Sequence, residues 1–242
     1  MPADANILSA LLLGGLLGIK HAMDPDHVVV VTTIVSRNRS ILRSTLAGLI
    51  WGIGHTIVLF IVGFGVLFFK LNIPDGLALG VEFCVGMLLV VLGVPLLWKL
   101  IVRKSHAHVH EHTGSTHIHF HSHAQSHSNA DTTSHKHTHL KRSLLIGMLH
   151  GMAGSGALMV LVLGTMSSAL QGLFFLLVFG VGSILGMALL SSAISLPFRL
   201  ATSKSLKLNL WLQGIAGCIS IILGILIMWQ TGITGGLFNF IG

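Results

Sequence analysis

Residues 18–33, GIKHAMDPDHVVVVTT, set one lysine, two histidines and two aspartates inside otherwise apolar sequence. Imidazole nitrogen and carboxylate oxygen are ligands that divalent transition-metal ions accept, so His21, Asp24, Asp26 and His27 carry the chemistry of a cation site. An ionised side chain at the centre of a bilayer costs about 2.5–3.5 kcal/mol even on a lenient scale. Lys20, Asp24 and Asp26 therefore need compensation. Lys20 and Asp24 are four residues apart and are expected to pair on one helix face. Asp26 and the two imidazoles remain, and a bound divalent ion supplies the positive charge they lack. The competing explanation, an interhelical polar network with a proline kink, gives no reason for the two histidines.

Spacing sharpens this. His21 and Asp24 are three apart, as are Asp24 and His27, so a regular helix brings each pair together. His21 and His27 would diverge by about 120° at 3.6 residues per turn. Pro25 resolves the conflict, because it has no N–H for the His21 carbonyl and its ring pushes Asp24 off helical angles. The expected break turns His21, Asp26 and His27 toward one point and offers a free carbonyl as well. Such backbone at membrane depth must face protein or a wet cavity. His55, in GIGHT at 52–56, lies deep in a later apolar run and is a further candidate ligand or gate. His150 is another, with Ala153, Gly154, Ser155 and Gly156 where the first motif has its acids. Glu82 reads first as an interfacial charge.

The elements that carry these residues are membrane spans. Of 242 residues, 52% are apolar and 9% charged, with no tyrosine, whereas a soluble domain carries about a quarter charged residues. Apolar runs over 7–35, 41–69, 77–100, 143–166, 170–198 and 208–230 are each long enough to cross a bilayer. The ten-residue alternating segments of a β-barrel are missing. The expected class is an all-α membrane protein of six transmembrane helices, the first broken at Pro25. Its N-terminus has no basic region or cleavage site, so the first run reads as a retained span. Basic residues gather at Arg37, Arg39 and Arg43, at Lys99, Arg103, Lys104, Lys136, Lys141 and Arg142, and at Arg199, Lys204 and Lys207. Only Lys70 lies on the other side. The positive-inside bias puts those loops in the cytoplasm and both termini outside, in a prokaryotic cell membrane. The net charge of +7 is thereby spent on topology, and no nucleic-acid partner is implied. Cys84 and Cys218 sit inside spans with no pairing pattern.

The two halves resemble each other. His21-Ala22-Met23 matches His150-Gly151-Met152, GIGHT matches GVGSI at 180–184, and VEFCVGMLLVVLGVPLLW at 81–98 matches LQGIAGCISIILGILIMW at 212–229. The offsets are 129, 128 and 131. Three spans per unit is an odd number, so the second copy is inverted, which is the plan of secondary transporters with a site near mid-membrane. The chain divides into a first three-helix repeat with the site at 1–102, an insertion at 103–142 and a second repeat at 143–242. Glycines four apart, at Gly14/Gly18, Gly48/Gly52, Gly147/Gly151 and Gly182/Gly186, suit close helix contact in lipid.

The insertion holds twelve of the sixteen histidines: His106, His108, His110, His112, His117, His119, His121, His123, His127, His135, His137 and His139. Alternate spacing sets successive imidazoles on one side of an extended segment, and histidine-rich tracts read as metal binding. Nothing in it can form a core, so disorder without metal is expected.

HAMDPDH fits the His-x4-Asp-His signature of the nickel/cobalt transporter family, and GHT at 54–56 resembles that family's second histidine motif. The resemblance covers the six-span core and is closest to short permeases of the urease-accessory type. It implies that His21, Asp26 and His27 bind and select Ni²⁺ or Co²⁺, that His55 assists, and that transport serves uptake, although relatives with histidine-rich loops also include exporters. The ion is substrate, and no other cofactor is implied. A homo-oligomer or a cytoplasmic metallochaperone is the remaining partner class. Longer members have eight spans and acidic, threonine-containing motifs in the second half, where this chain reads HGMAGSGALMV. The chain has no G-x-x-x-x-G-K-[ST] loop, which excludes ATP hydrolysis by the chain itself, and no His-Glu-x-x-His helix or paired-histidine boxes, which weighs against an intramembrane metalloenzyme. A metal sensor led by the insertion is a third class, which would lose function without residues 105–139.

Overall fold

The computed structural model describes residues 3–36, 40–71, 73–102, 108–112, 115–119, 134–152 and 168–240. In chain order these form α1 (Ala3–His21), α2 (Pro25–Val35), α3 (Ile41–Phe69), α4 (Asp75–Val102), β1 (His108–His112), β2 (Ser115–His119), α5 (Ser134–Gly151), α6 (Ala169–Lys204) and α7 (Leu206–Trp229). A π-helical turn, Gln230–Thr234, and a 3₁₀ turn, Leu237–Phe240, follow.

Among the described residues four helical stretches are long and apolar enough to cross a membrane: Ile41–Phe69, Asp75–Ile101, Ala169–Ser203 and Lys207–Thr234. Helix α2 is apolar but shorter. The expected span over 143–166 lies partly outside the described residues. Many large apolar side chains point outward, among them Phe64, Phe68, Val91, Leu185 and Ile222. Such a surface suits hydrocarbon, and the chain is an integral membrane protein.

The expected first span is two helices. Helix α1 ends in a tight turn, with Met23 N–H donating to the Lys20 carbonyl (2.9 Å) and Asp24 N–H to the His21 carbonyl (3.1 Å). Asp24 is extended (φ −61°, ψ 145°), and Pro25 opens α2, where its missing N–H has no consequence. The His21 carbonyl is therefore not free, as the proline argument alone predicted, because the turn supplies it with a donor one residue earlier.

Helix α2 sits inside the bundle and contacts α3, α4, α6 and α7. Its Val29, Val30, Val31 and Val35 join Trp51, Leu89, Leu92, Ile146 and Met187 in the principal core. Around it α1 lies along α6, α3 between α5 and α6, and α4 along α7. Lipid tails are as apolar as leucine, so these contacts depend on close packing. A Cβ on Gly18 would meet the backbone of Phe179 and Ser183, and one on Gly147 that of Trp51 and His55. The other glycines of the four spaced pairs also face a neighbouring helix.

Within the insertion the described residues 108–112 and 115–119 are extended. β1 and β2 pair antiparallel, with His108 opposite His119 and His110 opposite His117. The same alternation that spaces the histidines has the period of a strand. Helix α5 begins at Ser134, ahead of the expected 143.

Candidate metal centre

The break between α1 and α2 delivers the first-span motif to one place. His21 is the last residue of α1, Asp24 holds the N-cap position of α2, and Asp26 and His27 lie in the first turn of α2. The C-terminal end of one helix and the N-terminal end of another meet here, so the partial negative charge of α1 faces the region where a cation would sit, while Asp26 is favoured by the positive end of α2. His55 comes from the middle of α3 and His150 from the end of α5. All four histidines are buried, His55 completely.

Hydrogen bonds order the rings. His21 Nδ1–H donates to Asp24 Oδ2 at 2.8 Å. Asp24 makes no side-chain cap to its helix, because its carboxylate is turned to His21. His27 Nδ1–H donates to Asp26 Oδ1 at 3.0 Å, and His150 Nε2–H donates to Asp26 Oδ2 at 3.0 Å. With the His21 proton on Nδ1, the 3.1 Å contact between His21 Nε2 and His55 Nε2 requires His55 to donate. These assignments leave lone pairs on His27 Nε2, His55 Nδ1 and His150 Nδ1. All three atoms are buried and without a hydrogen-bond partner. Carboxylates that orient imidazoles in this way are the usual second layer of a metal site.

The rings lie close together. Centroid separations are 4.5 Å for His21–His27, 4.6 Å for His27–His150, 5.0 Å for His27–His55 and 5.2 Å for His21–His55. Two triads have ligand atoms that all lie within 4.8 Å of one another: His21, His27 and His55, and Asp26, His27 and His150. The structure thus brings together His21, Asp24, Asp26, His27, His55 and His150.

Lys20 does not join them. It is exposed and makes no ion pair among the described residues, and the expected Lys20–Asp24 pair is replaced by His21–Asp24. The four-residue rule assumes an unbroken helix, and the break at 22–24 takes Asp24 out of that phase. Glu82 is half-buried on α4. Of the insertion histidines, His106, His121, His123 and His127 fall outside the described residues. His108, His110, His112, His117 and His119 lie on β1 and β2, and His135, His137 and His139 at the start of α5.

Trp51 and Phe179 were not singled out from the sequence. Trp51 is wholly buried, with its ring 5.4 Å from His27 and 5.7 Å from His150. Phe179 lies 5.5 Å from His21. The available signal was register: Trp51 precedes His55 by one helical turn, and Phe179 stands at the matching place before GVGSI's serine in the second half.

Comparison with known proteins places this sequence in a family. Residues 75–226 match the family model described as Cytochrome C biogenesis protein transmembrane region. The urease accessory protein UreH of Bacillus sp. (strain TB-90) is 40% identical over 236 residues, covering 98% of this chain and 97% of that protein. No solved structure matches. The chain belongs to the family of urease accessory protein UreH, the urease-accessory-type branch to which the first-helix motif pointed, and over residues 75–226 to the cytochrome c biogenesis transmembrane family.

Proposed function

We propose that the protein is a secondary transporter that carries Ni²⁺ or Co²⁺ inward across the cell membrane. One observation carries this reading: four buried histidines from four helices converge with Asp26 at a broken helix, and three of their nitrogens have no partner. Imidazole-rich sites suit nickel and cobalt better than magnesium or calcium, which prefer all-oxygen shells. Kinship to a urease accessory protein supports supply of metal over its removal.

The six-span, inverted-repeat architecture belongs to this proposal. It is supported by reciprocal contacts at equivalent positions. Gly18 on Phe179 and Ser183 mirrors Gly147 on Trp51 and His55, and Gly182 on Gly15 mirrors Gly54 on Leu144. Gly86 against Gly224 mirrors Gly217 against Gly93. In this mechanism the ion sheds water into the histidine cluster and the halves rock about it. The histidine-rich insertion lies in the cytoplasm and buffers the arriving metal.

The test is accumulation of radiolabelled nickel in cells producing the protein. His27→Ala and Asp26→Ala should reduce it at least tenfold, whereas removal of residues 105–139 should leave most of it. Wild-type rates in both point variants would refute the site. A null strain should become nickel-resistant, and nickel sensitivity would assign export instead.

A further inference from the structure

The cluster holds more ligands than one ion needs, and their arrangement is not that of a single cage. The two triads share only His27. His55 and His150 belong to different triads, with ring centroids 6.2 Å apart. Resting on the transport reading above, we propose that the ion occupies two positions in turn, one held by His21, His27 and His55 and the other by Asp26, His27 and His150, with His27 passing it between them.

The hydrogen bonds of His27 give it two differently committed edges. Its Nδ1 is bonded to Asp26, whose other oxygen holds His150 Nε2, so that edge belongs to the second triad. Its Nε2 is buried and unpartnered, and is left for the first triad, where His21 Nε2 and His55 Nε2 meet and the His55 proton shifts to its own Nδ1 when the ion binds. A neutral imidazole offers one lone pair at a time. With the ion on Nε2, the ring proton stays on Nδ1 and is held by Asp26. With the ion on Nδ1, the proton resides on Nε2. The two positions therefore exclude each other, which is the condition for a relay instead of a two-ion store.

A second observation agrees. His21 and His150 are equivalent residues of the two halves, and so are Trp51 and Phe179. Phe179 lies against His21 and Trp51 against His150, so the equivalent histidine of each half meets the equivalent aromatic ring of the opposite half, with Trp51 also bordering His27 and His55. The donor sets also differ: three imidazoles in the first, two imidazoles and a carboxylate in the second. A borderline ion such as Ni²⁺ or Co²⁺ accepts either set, as repeated transfer requires.

The test is anomalous diffraction at the cobalt edge from crystals of the full chain grown with Co²⁺, where signal from insertion histidines is separated by position. Two peaks should flank His27, with a summed occupancy no greater than one. His150→Gln should keep only the peak beside His21 and His55, His55→Gln only the one beside Asp26, and His27→Gln neither. Both single-position variants should transport at least tenfold more slowly while still binding. One central peak touching all four histidines, lost equally in every variant, would overturn the two-position scheme and leave the transport reading standing. No peak in the wild-type protein would remove both.

Discussion

At the scale of single residues, Asp26 has the largest predicted effect. Its two oxygens hold one nitrogen of His27 and one of His150, 124 residues later in the chain. Asn in its place keeps one acceptor and turns the other into a donor facing an N–H. Partners that orient metal ligands are alone typically worth about 10–100-fold in affinity, and Asp26 is also a ligand of the second proposed position, so Asp26→Asn should weaken Co²⁺ binding to the purified protein by at least about that range. Asp24→Asn should have a smaller effect, since Asp24 orients His21 alone. Titration followed by cobalt absorption bands checks both, and equal effects would contradict the shared role of Asp26. The gathering of His21, Asp24, Asp26 and His27 at one place was legible from residue type and the position of Pro25. The bridge from Asp26 to His150 was not, because no local spacing rule links residues that meet only through tertiary packing. The Lys20–Asp24 pair failed for the opposite reason: a local rule was applied across a break.

At the scale of elements, the site depends on α2 starting afresh. Pro25→Ala restores an N–H that can bond to the His21 carbonyl and lets α1 run on as one helix, on which His21 and His27 diverge. Nickel accumulation should fall at least tenfold with the protein still present in the membrane, and retained transport would show that the break is set by packing and not by proline. The other sensitive element is the α3–α5 contact. A Cβ on Gly151 would meet the His55 carbonyl and lie 3.0 Å from the His55 Cα. Gly151→Ala must therefore push His55 and His150 apart, at a cost of about 1–3 kcal/mol for overpacking. It should lower both thermal stability and metal affinity, measurable by unfolding and by Co²⁺ titration of the same sample. The helical elements α3, α4, α6 and α7 were readable from apolar length alone. The strands β1 and β2 were not, because the alternation that suits a strand was read only as ligand spacing.

At the scale of the whole molecule, the arrangement of loops is directly testable. With Cys84 and Cys218 changed to serine, a cysteine introduced by Ser40→Cys should react with a membrane-impermeant maleimide only in inside-out vesicles, and one introduced by Leu71→Cys only in right-side-out vesicles. The reverse pattern would invert the topology and with it the direction assigned to the insertion. The proposed repeat rests on offsets in the sequence, and glycines that make backbone contacts recur at matching positions. The burial of a tryptophan against the site was not legible there, since an aromatic residue in a span looks the same whether it faces lipid or ligand. The exposed position of Lys20 has an electrical consequence. In the proposed transporter, with no ammonium paired to Asp24 or Asp26 among the described residues, the arriving divalent ion supplies the offsetting charge, so the vacant form carries more negative charge than the filled one. An inside-negative voltage, worth about 2.3 kcal/mol per charge per 100 mV, then pulls the vacant form back toward the outer face and drives the cycle through its return stroke. Uptake into proteoliposomes should quicken as a potassium diffusion potential is made more negative inside, and Asp24→Asn should blunt that response. A rate indifferent to voltage would show that another gradient powers the turnover.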